Sequence, residues 1–189
     1  MIEYLKQIDR DLFLFFNGLN SPFLDKLMWE ISAHWFWIPI ILLFLFYAIK
    51  DYKKKAWIPI LFFIICFVIT DQGANQFKYF FERYRPSHNL ELTGLIHHVN
   101  HYKGGMYGFF SNHAANSFGL FAITSLFIRR KAYTYIVLFW AIIVTYSRIY
   151  LGVHYPGDSF AGMIWGLMAA CFLYLLYKII CRFSGVNVK

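Results

Sequence analysis

The sequence predicts an all-α fold: a polytopic membrane helix bundle of about five transmembrane helices, with an N-terminal amphipathic helix at the interface. Three observations lead there. Of 189 residues, 59% are hydrophobic, 22% aromatic and only 15% charged, which is more apolar surface than a soluble domain of this length can hide. The apolar residues gather into long uncharged runs. Lysine and arginine cluster between alternate runs, as in a chain that crosses a bilayer several times.

Residues 1–30 are expected at the membrane surface. Glu3, Lys6, Asp9, Arg10 and Asp11 interrupt any apolar core and no small-residue cleavage site follows, so the segment does not read as a secretory signal. Ile2, Leu5, Ile8, Leu12, Phe15 and Phe16 recur at helical spacing opposite the charges, which suits an interfacial amphipathic helix and equally an ordinary packing helix. Asn17 and Gly18 supply a turn. Ser21 and Pro22 predict a new helix, with the serine as its N-cap and the proline in its first turn.

Five runs then approach the roughly 20 residues that a spanning helix needs: 31–49, 56–77, 111–128, 132–151 and 159–177. Asp71 in the second and Arg148 in the fourth are their only formal charges, and His113 opens the third. An ionised group in hydrocarbon is costly, so these positions mark candidate chemistry. Lys50 and Lys53 to Lys55 follow the first run, Arg129 to Lys131 join the third and fourth, and Lys178, Arg182 and Lys189 follow the fifth. Alternating helices bring all three clusters to one face, expected to be cytoplasmic. The N-terminal helix, the long connection 81–110 and the link 152–157 fall on the other face, which is expected to open to the periplasm or exterior of a bacterial inner membrane. Orientation and site chemistry account for the net charge of +8, and nucleic acid is not an expected partner. Cys66, Cys171 and Cys181 lack ligand-like spacing and read as packing residues. His97, His98 and His101 read as surface loop residues rather than a metal site. No repeat or linker divides the chain, so one domain is expected over 1–189, with interfacial helices in 1–30 and a transmembrane core in 31–181.

Three polar clusters terminate the apolar runs on that second face. If the second span continues to Pro86, Lys78 and Arg85 lie on one helical face, with Asp71 and Asn75 below them as a counter-ion or hydrogen-bonding support. Taken alone, Lys78 and Arg85 are better explained by snorkelling to lipid headgroups. Ser111, Asn112 and His113 start the third span, where unpaired backbone N–H groups favour an anion and a histidine can transfer a proton. A simple cap, Ser111, is the plainer alternative. Ser147 and Arg148 close the fourth span, and His154 precedes Asp158 by four residues at the start of the fifth. A carboxylate one turn beyond an imidazole can accept its ring N–H and leave the other nitrogen as a lone-pair donor. Three cations, hydroxyl and amide donors, a nucleophile, an acid and an orienting carboxylate suit phosphoryl transfer. No metal ligand set is evident.

These residues resemble the type 2 phosphatidic acid phosphatase (PAP2) family, whose motifs are K-x6-RP, PSGH and SR-x5-H-x3-D. Lys78, Arg85 and Pro86 match the first, Ser111 and His113 the second, and Ser147, Arg148, His154 and Asp158 the third. Phe110 and Asn112 replace the proline and glycine of the second motif. The resemblance implies a metal-independent, cofactor-free hydrolysis of a lipid phosphate through a phosphohistidine. His154 would be the nucleophile, Asp158 its orienting partner and His113 the acid and then base. Lys78, Arg85, Arg148, Ser111 and Asn112 would bind the phosphate, with Asp71, Asn75 and Ser147 behind them. Many members have six spans; this chain reads as a five-span form with an interfacial N-terminal helix. The expected substrate is a lipid phosphate or diphosphate at the outer headgroup layer. Undecaprenyl diphosphate comes first, because so compact a chain adds no domain for a large sugar headgroup. Phosphatidylglycerophosphate, lipid A and phosphatidic acid are the alternatives. Non-enzymatic rivals are an anion channel or transporter, in which Asp71 and the arginines line a path, and a lipid-binding membrane protein.

Overall fold

A computed structural model describes residues 2–184; the expectation for Lys189 lies outside them, as does that for the side chain of Ile2. Seven helices follow in order: α1 (Ile2–Gly18), α2 (Pro22–Ser32), α3 (Ile38–Tyr52), α4 (Trp57–Phe81), α5 (Asn112–Ile128), α6 (Lys131–Tyr150) and α7 (Pro156–Ser184). The described residues contain no strand, only an isolated antiparallel bridge between Tyr84 and Tyr107.

Among the described residues, four helical segments are long and apolar enough to cross a membrane: 34–55, 57–81, 131–150 and 156–183. The third expected span, α5, is not among them: it has 17 residues, about 25 Å at 1.5 Å per residue. It lies at the centre of the bundle, against α4, α6 and α7. Lipid would meet the outer helices, where Leu42, Phe46, Val68, Phe139 and Phe172 are exposed.

Small residues set the tightest packing. A Cβ on Gly162 would fall 2.6 Å from the Ser111 carbonyl oxygen, and one on Gly166 would fall 2.2 Å from that of Ala115. Only glycine therefore lets the α7 backbone press on α5. The consequence reaches the polar end, where the Ser111 N–H donates to the Asp158 carbonyl at 3.1 Å. Two motifs distant in the sequence are thereby joined through their backbones.

The first span differs from expectation. Helix α2 ends at Ser32, Ala33 is extended (ψ 151°) and a 3-10 turn over His34–Trp37 precedes α3. Pro39 occupies the first turn of α3, where its missing N–H is harmless. Ser21 caps α2 as expected, its hydroxyl accepting the Leu24 N–H. Helix α1 turns Phe13 and Asn17 inward and leaves Leu5, Ile8, Leu12 and Phe15 exposed, an apolar stripe suited to the membrane interface.

The basic clusters meet at one end. The Tyr52 hydroxyl donates to the Phe127 carbonyl at 2.9 Å, Arg130 meets Asp51 at 2.8 Å and Arg129 donates to the Tyr174 hydroxyl. Helices α1 and α2 and all three sequence motifs occupy the other end. Cys66 is buried, Cys171 exposed and Cys181 half-buried, and no disulfide joins them.

Candidate active site

Arg85 reaches the site from a different element than expected. Helix α4 ends at Phe81, with Glu82 in the left-handed conformation (φ 47°). Arg85 is extended, as the residue before a proline prefers. The expected shared helical face of Lys78 and Arg85 therefore does not exist. A returning segment holds Arg85 instead: its N–H donates to the Met106 carbonyl at 3.0 Å and its Nε to the Tyr107 carbonyl at 3.1 Å. The guanidinium enters the protein and donates from Nη1 to His154 Nε2 at 3.1 Å and to the Val153 carbonyl at 3.3 Å.

That contact defines the histidine. A guanidinium only donates, so Nε2 of His154 accepts and the ring proton belongs on Nδ1. Nδ1 faces Asp158 Oδ2 at 3.6 Å. This is ion-pair range but longer than a hydrogen bond, and Nδ1 has no other partner. The expected ring-to-carboxylate hydrogen bond is thus relaxed, because Asp158 is engaged elsewhere. Its Oδ2 accepts the Tyr155 N–H at 3.0 Å and its Oδ1 accepts Arg83 Nη1 at 2.7 Å. His154 is 2% exposed and Asp158 fully buried. Burial, reinforced by Arg85, Arg148 and Lys78, pushes His154 well below the usual imidazole range, so it stays neutral near pH 7. Burial, then Arg148, lowers Arg85 to about 10, which leaves it charged.

Arg148 is 4% exposed. It donates to the Ser32 hydroxyl and, at 3.1 Å, to the Tyr102 hydroxyl, while its Nε has no partner. The end of α2 also meets His113, whose Nε2 lies 3.3 Å from the Ser32 carbonyl. A carbonyl only accepts, so His113 carries its proton on Nε2. His113 and His34 line both of two cavities. One of about 180 Å³ is lined by Trp29, Ser32, His34, Tyr102 and Arg148; another of about 270 Å³ is lined by Trp37, Ile41, Phe67, Asp71, Asn112 and Asn116.

Lys78 stands beside the second cavity through Asn112. The Asn112 Oδ1 accepts from Lys78, while its Nδ2 donates to Asp71 Oδ1 at 2.8 Å and to Asn75 Oδ1 at 2.9 Å. Asn116 donates to the same Asp71 oxygen at 3.0 Å. Asp71 therefore supports Lys78 through an amide and forms no direct ion pair with it. Two hydroxyls are committed locally. Ser111 caps α5, its Oγ 3.5 Å from the Ala114 nitrogen, and Ser147 donates to the Val144 carbonyl at 2.7 Å. The Ser111 N–H, expected to be open to an anion, is taken by the Asp158 carbonyl.

Sequence reading passed over Arg83, Asp9, Ser32, Tyr102 and Asn116. Asn116 alone carried a signal, an amide one turn after Asn112 within an apolar run. The histidine loop is better anchored than expected: His97 donates to Asp25 at 2.8 Å, and Tyr150 donates to the same carboxylate at 2.6 Å. Asn17 holds the His97 carbonyl and N–H, at 3.0 and 2.8 Å.

The family model of the PAP2 superfamily matches residues 56–180. A lipid A 4'-phosphatase of Porphyromonas gingivalis is 38% identical over 93% of this chain and 75% of its own length. One from Bacteroides thetaiotaomicron is 36% identical over 98% and 84%. An undecaprenyl-diphosphatase of Sulfolobus acidocaldarius is 30% identical over 87% and 72%. In fold, the chain is similar to the crystal structure of a PAP2-type phosphatidylglycerolphosphate phosphatase from Bacillus subtilis. The TM-score is 0.74 at 22% identity, over 95% of this chain and 89% of that one.

Proposed function

The chain belongs to the PAP2 superfamily and is a membrane lipid phosphatase, and we propose that its substrate is a phosphorylated saccharide lipid of the lipid A type, hydrolysed through a phosphohistidine on His154. The observation that carries the chemistry is the line Arg85–His154–Asp158. A neutral, buried imidazole has its lone pair on the cation-lined side and its N–H toward a carboxylate. On substrate binding, Arg85 would exchange His154 for a phosphoryl oxygen and free Nε2 to attack phosphorus. Lys78 and Arg148 would neutralise the remaining oxygens, the largest contribution expected in phosphoryl transfer. Asp158 would balance the positive charge that develops on the ring. With the phosphate bound, His113 would take up a second proton on Nδ1 and act as the imidazolium: the bond from phosphorus to the lipid oxygen breaks as that oxygen takes a proton from it, which leaves the ring neutral. Water then gives a proton to His113 and attacks the phosphohistidine, which releases inorganic phosphate and restores both rings.

The substrate class rests on the two lipid A 4'-phosphatase relatives at 38 and 36% identity. The expectation that placed undecaprenyl diphosphate first argued from compactness. This chain aligns with 75 and 84% of the lengths of those relatives, so compactness does not separate the two lipids. Undecaprenyl diphosphate becomes the second reading, supported by the relative at 30% identity. We place the protein in a bacterial inner membrane with the site end outward, since the basic end favours the cytoplasm.

Phosphate release from detergent-purified protein in EDTA tests this. The panel is bisphosphorylated lipid A, its two monophosphorylated forms, undecaprenyl diphosphate, phosphatidylglycerophosphate and phosphatidic acid, with His154→Ala alongside. Fastest release from the lipid A forms that carry a 4'-phosphate is expected. A faster reaction with undecaprenyl diphosphate would move the assignment to that lipid.

A further inference from the structure

Asp9 lies in α1, and no step above uses it, yet both its oxygens are committed. Oδ1 accepts the Gly157 N–H at 2.7 Å and Oδ2 accepts Arg83 Nη2 at 2.7 Å. A Cβ on residue 157 would fall 2.7 Å from Oδ2, so the carboxylate can seat there only because that residue is glycine. The other arm of Arg83, Nη1, donates to Asp158 Oδ1 at 2.7 Å, and its guanidinium lies 4.3 Å over the Tyr155 ring. Both arms and the face of the group are thus occupied by protein. Arg83 is placed to hold Asp158, whereas Arg85 faces the reacting nitrogen.

We propose that Asp9 and Arg83 form a positioning relay for Asp158, making the productive orientation of the His154–Asp158 pair depend on α1 being docked against the first turn of α7. The relay rests on the phosphatase reading above and adds a dependence that the family motifs do not contain. Asp158 is fully buried, so an oxygen that loses Arg83 has no water to replace it. Arg83 alone could rotate away, and Asp9 fixes its far side. The outer face of α1 exposes Leu5, Ile8, Leu12 and Phe15. The helix whose apolar stripe would rest in the interface is therefore the same one that pins the arginine behind the nucleophile.

The test compares wild type, Asp9→Asn, Asp9→Glu, Arg83→Gln, Arg83→Lys and the Asp9→Asn/Arg83→Gln double variant. Each is assayed on whichever panel lipid the wild type hydrolyses fastest. Loss of the relay should lower kcat about tenfold with KM within about twofold, because Lys78, Arg85 and Arg148 remain. Asp9→Glu should recover part of the loss. Arg83→Lys should not, since an ammonium cannot bridge two carboxylates as a fork does. The double variant should be no worse than Arg83→Gln alone, the non-additivity of groups acting as one unit. Should Arg83→Gln fail to fold, Asp9→Asn and Arg83→Lys carry the same comparison. Unchanged kcat in folded Asp9→Asn overturns the relay, as do independent, additive losses. A raised KM at constant kcat in Arg83→Gln overturns it too, in favour of a direct phosphate contact. A wild type that hydrolyses no panel lipid, or an active His154→Ala, brings down the phosphatase chemistry and the relay with it, an outcome distinct from inert relay variants in an active enzyme.

Discussion

At the end of the bundle where α3, α5 and α7 finish, Arg129 and Arg130 remain exposed although each has a partner, the Tyr174 hydroxyl and Asp51. At the opposite end Arg85 and Arg148 are buried beside a buried histidine and carboxylate. Water screens the first pair of arginines and holds their interaction energies near those of the separated groups. No such screening reaches the second pair, so every neighbour matters, and the charges influence one another's protonation and position. On the proposed reading, the solvated basic cluster orients the chain in the membrane and the enclosed one does the chemistry. The sequence shows both kinds alike.

Substitutions at the two ends should separate in size. His154→Ala should abolish the phosphoenzyme and lower turnover by about a thousandfold or more, as loss of a nucleophile does elsewhere; labelling with a radioactive lipid phosphate followed by an alkaline quench, in which a phosphohistidine survives, would read it. A variant that retained phosphoenzyme would end the assignment of His154. Arg85→Gln should cost about a hundredfold in kcat/KM. It should also move the acid limb of the pH profile. Nearby cations disfavour a charged imidazole, so removing one raises the His154 pKa while Arg148, Lys78 and Asp158 stay in place. The limb should therefore shift upward, toward the ordinary histidine value; a downward shift would show that another group controls it.

A smaller effect is expected behind Lys78. Asp71→Ala removes the acceptor that orients Asn112 and Asn116, and a loss of about tenfold in kcat/KM is expected from a displaced lysine. Asn112→Gly restores the residue of the motif but deletes the Lys78 acceptor. Changed preference among headgroups is expected, with kcat retained and any loss from the freed lysine confined to KM, read from the same lipid panel. At the basic end, Arg130→Ala should leave turnover within about twofold of wild type. A large loss there would mean that the two ends are coupled, and the contrast between them would fail.

Much of the architecture was legible because it follows from local pattern. Apolar runs separated by basic clusters announced the spanning helices and their alternation, and Ser21 with Pro22 marked the start of α2. Where expectation departed, the cause was also local: Ala33 and Pro39 split the first run, and Glu82 with the residue before Pro86 ended α4 early. Arg85 was therefore found as a residue but misplaced as an element. Spacing within one helix cannot show that a returning segment, 106–108, will hold an arginine in place.

The composition and motifs of this chain decide that it is a membrane helix bundle and single out the side chains proposed to carry the phosphatase chemistry, because bilayer solvation and one-turn spacing act along the sequence itself. Only folding decides that Asp158 faces His154 at 3.6 Å while Arg83 holds its other oxygen. It also decides that Ser111 spends its N–H on Asp158, and that Asp9 of α1 reaches the first turn of α7. Those contacts join segments far apart in the chain. They depend on close helix approach, as at Gly162 and Gly166, and on the requirement that buried charges find partners, neither of which leaves a periodic trace in the order of residues.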